Sequence, residues 1–210
     1  MTEVHTTIIV ESQPAGPGFH TVVGELAAPL EVAAGQWGAF HTGVPNPVKP
    51  GEVLRRAWSF AEVDGCRLRL LVALVGPGTA WLAQRQAGEE LRFTGPWGTR
   101  FRLDDGVGPV AFFAAGSGIA PIGAMVDACI RAGRPARLLW ETSAPSLPER
   151  VAAWRTAGVA VDVGPRLEPD GQGLWWYAGD GQRLDEVVGD APPERVERFY
   201  TPQPVPSGNR

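Results

Sequence analysis

The sequence predicts two domains in series, a small antiparallel β-barrel followed by a shortened α/β unit with a mostly parallel sheet. Three observations predict it. Residues 1 to 104 read as short strands broken by turn residues. After the polar, glycine-rich stretch from Asp104 to Pro109, strands alternate with helices. The 210 residues, 44% of them hydrophobic, are enough for two cores of about 100 residues each. The expected division is 1–105 for the barrel and 106–200 for the α/β unit. The Pro-, Ser- and Gly-rich stretch 201–210 is expected to be a flexible tail.

In the first part, alternating and β-branched runs place strands at His5 to Glu11, Phe19 to Leu26, Gln36 to His41, Arg56 to Glu62, Arg67 to Leu74 and Glu90 to Thr94. One helical stretch is expected at Thr79 to Gln86, where Trp81, Leu82 and Gln86 recur at helical intervals and Gly88 ends the run. In the second part, the apolar run Val110 to Ala115 leads into Gly116-Ser117-Gly118-Ile119-Ala120-Pro121 and a helix to about Ala132. Strands follow at Arg137 to Trp140, Val159 to Val163, Trp175 to Ala178 and Val196 to Tyr200, with a helix from Ser146 to Ala157. This is a βαβ pattern, hence a mostly parallel sheet.

Composition excludes several classes of function. A formal net charge of -4 without a run of Lys or Arg leaves no electrostatic footprint for nucleic acid or anionic lipid. Cys66 and Cys129 are too few for an iron-sulfur cluster or a structural zinc, so a redox centre must be a bound organic cofactor. The three His, at 5, 20 and 41, have no metal-ligand spacing. With no signal-peptide pattern and no stretch of transmembrane length, no membrane insertion is expected and the expected location is the cytoplasm. Ser59 is not in a Gly-x-Ser-x-Gly elbow and lacks an identifiable base, which argues against hydrolysis.

A dinucleotide cofactor asks for a fixed cation at its pyrophosphate, backbone N–H groups at a helix start, a flat ring against its heterocycle and a small hydroxyl near its reactive nitrogen. The segment Arg56-Ala57-Trp58-Ser59 and the run Gly76-Pro77-Gly78-Thr79 offer these in order. Arg56 is the candidate cation, Trp58 the stacking plate and Ser59 the hydroxyl, while Gly78 and Thr79 open the helix. The competing reading of Arg56 and Trp58 is plain strand alternation of exposed and buried faces.

Taken together, these segments resemble the ferredoxin-NADP reductase superfamily, whose FAD-binding pattern is Arg, any residue, an aromatic, then Ser or Thr. Gly35-Gln36, Gly76 to Leu82 and Gly95-Pro96-Trp97-Gly98 are similar to further segments of that family, and Gly116, Gly118 and Pro121 resemble its nicotinamide-nucleotide loop. The resemblance implies FAD held between the domains, NADH or NADPH as electron donor, catalytic roles for Ser59 and Trp58, and a separate protein or small molecule as acceptor. It also implies that residues 116–121, Gly179 and Asp180 line the nicotinamide site and that Phe199 or Tyr200 covers the flavin.

The sequence departs from the family in three places. Trp58 replaces the usual Tyr. Tyr177-Ala178-Gly179-Asp180-Gly181 stands where relatives carry a Cys-Gly-Pro turn, so Ala178 replaces the thiol. Only eleven residues separate Val163 from Trp175, which leaves no room for a helix many relatives have. Trp140-Glu141-Thr142-Ser143 lacks the basic residue of NADP-preferring members, so NADH is favoured, with Glu141 either accepting ribose hydroxyls or belonging to a solvated acidic loop. Two rival readings remain: an FAD electron-transfer subunit similar to that of dihydroorotate dehydrogenase, and a relative repurposed to bind a ligand or partner without redox work.

Overall fold

The computed structural model of the chain describes residues 3–98, 100–103, 108–143, 147–170, 174–191 and 195–199. Six strands make the first sheet: β1 (Val4–Pro14), β2 (Phe19–Leu26), β3 (Trp37–Pro45), β4 (Val53–Asp64), β5 (Arg67–Ala73) and β6 (Glu90–Trp97). They close into an antiparallel barrel in the order β1-β2-β5-β4-β3-β6. Closure pairs every strand with two neighbours, although β5 joins β4 only from Phe60 onward. Bulky residues turn inward: Phe40 and Phe93 stack with centroids 4.7 Å apart, Phe60 meets both edge-on, and Trp58 lies 5.2 Å from Phe40. Each such ring pair adds about 0.5–1.5 kcal/mol beyond its burial. Helix α1 (Pro77–Leu82) caps one mouth, with Leu82 inserted in the barrel core.

The second sheet is parallel, with five strands: β7 (Val110–Ala115), β8 (Ala136–Glu141), β9 (Ala160–Gly164), β10 (Leu174–Asp180) and β11 (Val196–Phe199). Their order is β11-β10-β7-β8-β9. A 3-10 turn over Gly116–Gly118 joins β7 to α2 (Ile119–Arg131); α3 (Pro148–Thr156) precedes β9 and α4 (Gly181–Val187) follows β10. The chain winds outward from β7 to β8 and β9, then crosses to β10 on the other side. The carboxyl ends of β7 and β10 therefore form a topological switch point, where open α/β sheets hold their ligands.

Both predicted layers are present, and β2 has its predicted bounds. The first helix begins and ends earlier than the periodicity suggests, because Pro77 fits the first helical turn and Ala83 already caps the last. Helix α4 was not anticipated. The predicted 105/106 boundary and the tail 201–210 lie outside the described residues, as do Ser146 and Tyr200.

The domains share one apolar cluster, in which Ala61 and Leu71 of the barrel meet Ile119, Ile122 and Ala178. Phe101, whose N–H donates to the Ala34 carbonyl at 2.9 Å, sends its ring into the second domain against Phe112 and Trp176. A polar clamp adds to this. Asp127 on α2 accepts from Arg150 Nη2 and from Trp154 Nε1, each at 2.6 Å, and Arg150 also donates to the Ala61 carbonyl at 3.3 Å. Ala61 lies two residues beyond Ser59, so the clamp ties the second domain to the strand that carries the candidate flavin residues.

Candidate functional site

Strand alternation sorts the Arg56 to Ser59 segment onto two faces. Arg56 pairs with Phe40 and Trp58 with Gly38, on the barrel-interior side, whereas Ala57 pairs with Ala39 and Ser59 with Trp37 on the outer side. Trp58 is only 6% exposed and its indole is packed into the barrel core, so it presents no free face for a ring to stack on. That is a correction to its expected role: the core takes the bulky residues at 58 and 60, and the small ones at 57, 59 and 61 face outward. Ser59 is largely buried, but its hydroxyl has no hydrogen-bond partner among the described residues. Trp37, directly opposite it, was not singled out by the sequence; only the strand register brings it there.

Arg56 sits at the mouth of the barrel beneath α1. A Cβ at Gly78 would come 2.8 Å from Arg56 Cγ, so glycine is what lets the arginine lie against the helix start. The guanidinium has no ion pair among the described residues, and Nη1 donates to the Arg55 carbonyl at 3.1 Å. Beside it the edge of β4 is open, since β5 joins β4 only from Phe60 onward. Thr79 does not offer its hydroxyl to a ligand. Its Oγ1 donates to the Gly76 carbonyl at 3.1 Å and accepts from the Val75 and Gly76 N–H groups, closing a local turn.

At the switch point the loops after β7 and β10 interlock. A Cβ on Gly118 would overlap the Ala178 carbonyl, and one on Gly179, whose φ is +149°, would come 2.6 Å from Ala115 Cβ. Trp140 Nε1 donates to the Gly116 carbonyl at 3.0 Å and pins the turn from the other side. Gly116 and Ser117 are partly exposed, while Gly118, Ile119, Ala120 and Pro121 are buried as α2 begins. The turn abuts the end of β5, and Ala73 there packs into the same cluster as Ile119 and Ala178. Gly76 to Thr79 follow Ala73 within a few residues, so the strand end that touches the 116–118 turn leads directly into the second glycine-rich run.

Two acidic candidates are committed elsewhere. Glu141 accepts from Arg183 Nε and Nη2 at 2.9–3.1 Å and from the Leu167 N–H at 3.0 Å. Its carboxylate is held by protein donors rather than solvated, with Oε2 taking three of them and Oε1 only the Arg183 Nε–H. Asp180 caps α4, accepting from the N–H groups of Gln182 and Arg183. It is the helix-start signal from which α4 could have been read. Phe199 ends β11 opposite Asp180; its side chain, and all of Tyr200, lie outside the described residues.

Arg183 is the residue that sequence reasoning missed most. It also donates to the Leu167 carbonyl, Glu168 and Glu186, and lies over the Phe113 ring. Hydrogen bonding to Glu141 foremost, then to Glu168 and Glu186, raises its pKa against the opposing effect of burial. It joins the 165–168 segment to the sheet on the face where no helix lies between β9 and β10 among the described residues.

No protein-family model matches the chain. Over 109 residues it is 38% identical to "Ferredoxin--NADP reductase B" of Sorangium cellulosum, a match covering 50% of this chain and 43% of that protein. It is 34% identical over 86 residues to a dihydroorotate dehydrogenase B (NAD(+)) electron transfer subunit of Clostridium acetobutylicum, covering 36% and 35%. The matches thus span less than half the length of these relatives. In structure it superimposes on the flavohem-like FAD/NAD-binding domain of nitric oxide dioxygenase from Vibrio cholerae, with a TM-score of 0.75 over 93% of this chain and 97% of that one. The chain has the ferredoxin-NADP reductase fold. Sequence identity with the Vibrio domain is 15%, so that likeness is one of fold alone. Within the reductase fold, the segment at Arg56 and the turn at Gly116 occupy the barrel edge and the switch point described above.

Among the described residues no helix is long and apolar enough to cross a membrane.

Proposed function

We propose that the chain is an FAD-dependent oxidoreductase module that takes electrons from NAD(P)H and passes them to a separate acceptor. The observation that carries this reading is the packing of the 116–118 turn at the switch point against the end of β5, from which the chain runs within three residues into the 76–79 segment beneath Arg56. In this reading Arg56 neutralises the flavin pyrophosphate, and the open edge of β4 supplies backbone groups. Ser59 holds its hydroxyl beside the ring, and Trp58 acts from inside the barrel as a positioning residue for the strand. The 116–118 turn, with Gly179 packed behind it, receives the nicotinamide nucleotide. Bound FAD would supply the conversion between two-electron and one-electron transfer, while the chain orients the reactants and excludes water.

Glu141 is paired with Arg183, while the absence of a basic residue in Trp140-Glu141-Thr142-Ser143 still favours NADH, so the donor is proposed as NAD(P)H with NADH favoured. The same occupied strand tip favours a second reading, an FAD electron-transfer subunit without its own nucleotide site; the likeness to the Clostridium subunit supports the electron-transfer role alone.

Titrating apo-protein with FAD and following flavin fluorescence tests the reading. Saturable quenching by the wild-type chain, weakened in Arg56→Gln, supports it; absence of FAD binding by the wild-type chain contradicts it.

A further inference from the structure

Away from the candidate flavin and nucleotide residues, the seam between the two domains opens into a cavity of about 730 Å³. That volume lies within the range of small-molecule sites, which favour domain interfaces. Strand register builds one wall from the outside of the barrel, where Thr21 stands opposite Leu71 and Glu62 opposite Arg69. Helices α2 and α3 build the other wall, with Ile130 and Trp154 as its apolar part and Asp127 and Arg150 as its polar part. Leu71 and Trp154, both almost fully withdrawn from water, form an apolar floor.

The polar groups are two ion pairs, one on each wall. Arg69 Nε lies 3.2 Å from Glu62 Oε2, and Arg150 Nη2 lies 2.6 Å from Asp127 Oδ2. Both carboxylates are thus answered. Arg69 keeps Nη1 and Nη2, and Arg150 keeps Nε and Nη1, without an acceptor among the described residues. Unfilled guanidinium donors on two walls above an apolar floor suit a carboxylate carried on a flat apolar body. Glu149, exposed where it lines the cavity and without an ion pair among the described residues, limits the charge: its repulsion disfavours multiply charged anions such as phosphates. Leu147 gives a second indication. It lines the cavity in the left-handed region, at φ 58° and ψ 44°, which residues with a Cβ disfavour, and strain of this kind collects at ligand clamps.

We infer that this cavity is an effector site for a small organic monocarboxylic acid with a flat apolar body. Its link to the flavin strand is Arg150. Strand β4 bulges between Phe60 and Glu62, which leaves Ala61 without a partner on β5, and the Ala61 carbonyl accepts from Arg150 Nη2 at 3.3 Å. Ser59 stands two residues before Ala61, and bulges re-aim neighbouring side chains. A carboxylate that draws Arg150 toward the cavity changes its hold on Ala61, and with it the setting of Ser59. Binding in the cavity stands by itself; the linkage to flavin rests on the proposed function.

The test is calorimetric titration of the chain with 2-naphthoate, with and without bound FAD. Saturable one-to-one binding is expected. Ala153 lines the cavity from an exposed position on α3, so Ala153→Trp fills the space without entering the core and is expected to weaken naphthoate binding at least tenfold. Arg69→Gln is expected to weaken it at least threefold, and both variants to bind FAD within twofold of wild type. Naphthoate is expected to change wild-type FAD affinity at least threefold, and FAD to change naphthoate affinity by the same factor. Absence of binding by the wild-type chain overturns the inference, as does undiminished binding by either variant or tighter binding of 2-naphthylmethylamine than of naphthoate. Equal naphthoate affinity with and without bound FAD overturns the effector role. If the chain binds no FAD, the proposed function fails by itself, and titration of the FAD-free chain still decides the cavity.

Discussion

Arg183 and Glu141 meet in a two-point ion pair, Nε and Nη2 donating to the carboxylate oxygens over 2.9–3.1 Å at the tip of β8. Both side chains are mostly withdrawn from water, so removing one strands the other's charge. Arg183→Ala is expected to lower stability by roughly 3–5 kcal/mol in urea denaturation. Glu141→Gln is expected to leave NAD(P)H affinity within twofold, since the carboxylate already serves Arg183; a loss of tenfold or more would return Glu141 to the nucleotide site.

Arg56→Gln removes a cation that has no acid of its own. A charge-assisted hydrogen bond is worth about 1.5–3 kcal/mol, so FAD is expected to bind roughly 10- to 150-fold more weakly. Gly78→Ala should act in the same direction, because its methyl group would push Arg56 out of place. Equilibrium fluorescence titration measures both, and unchanged affinity in Arg56→Gln would remove the residue from the site.

Burial holds the pKa of His20 below its ordinary value of 6.5, and His41 is likewise lowered, by burial and then by Arg55 and Arg92. Between 6.5 and the depressed native values the unfolded chain binds more protons than the folded one. Stability is therefore complete above about pH 6.5 and is lost as pH falls through that window. Thermal unfolding between pH 5 and 8 should show this slope, and it should be shallower in His20→Gln. A slope of opposite sign would contradict the burial of both rings.

The two thiols should differ in reactivity. Burial pushes Cys129 up to about 11, against a smaller opposing effect of Arg134, while Cys66 is partly exposed. At pH 8 a maleimide is expected to modify Cys66 in the native protein and Cys129 only after unfolding, read by mass spectrometry of digests. Modification of both in the native state would show that α2 opens.

Much of the architecture was legible because its signals are local. Turn residues bracket each barrel strand, and the switch from period two to alternating strands and helices marks the second domain. Helix α4 was missed because its seven residues carry few apolar positions, although Asp180 marks its start. The site was harder to read. The order of Arg56, Trp58 and Ser59 suggested one surface, yet bulky residues at 58 and 60 between small ones at 57, 59 and 61 are the period-two mark of a core-facing stripe. Trp58→Ala is accordingly expected to cost roughly 3–5 kcal/mol of stability. The partnership of Glu141 with Arg183 joins residues 42 positions apart, and the pairing of Ser59 with Trp37 depends on register. Neither could be read from one strand alone.

In the proposed function NAD(P)H delivers electrons to a flavin bound between the two domains. An anaerobic absorbance titration of the FAD-reconstituted chain with NADH, and separately with NADPH, tests it most directly. Rapid bleaching of bound flavin by at least one of them is the expected result. Bound flavin that stays oxidised with both would contradict it and leave the electron-transfer subunit as the better reading.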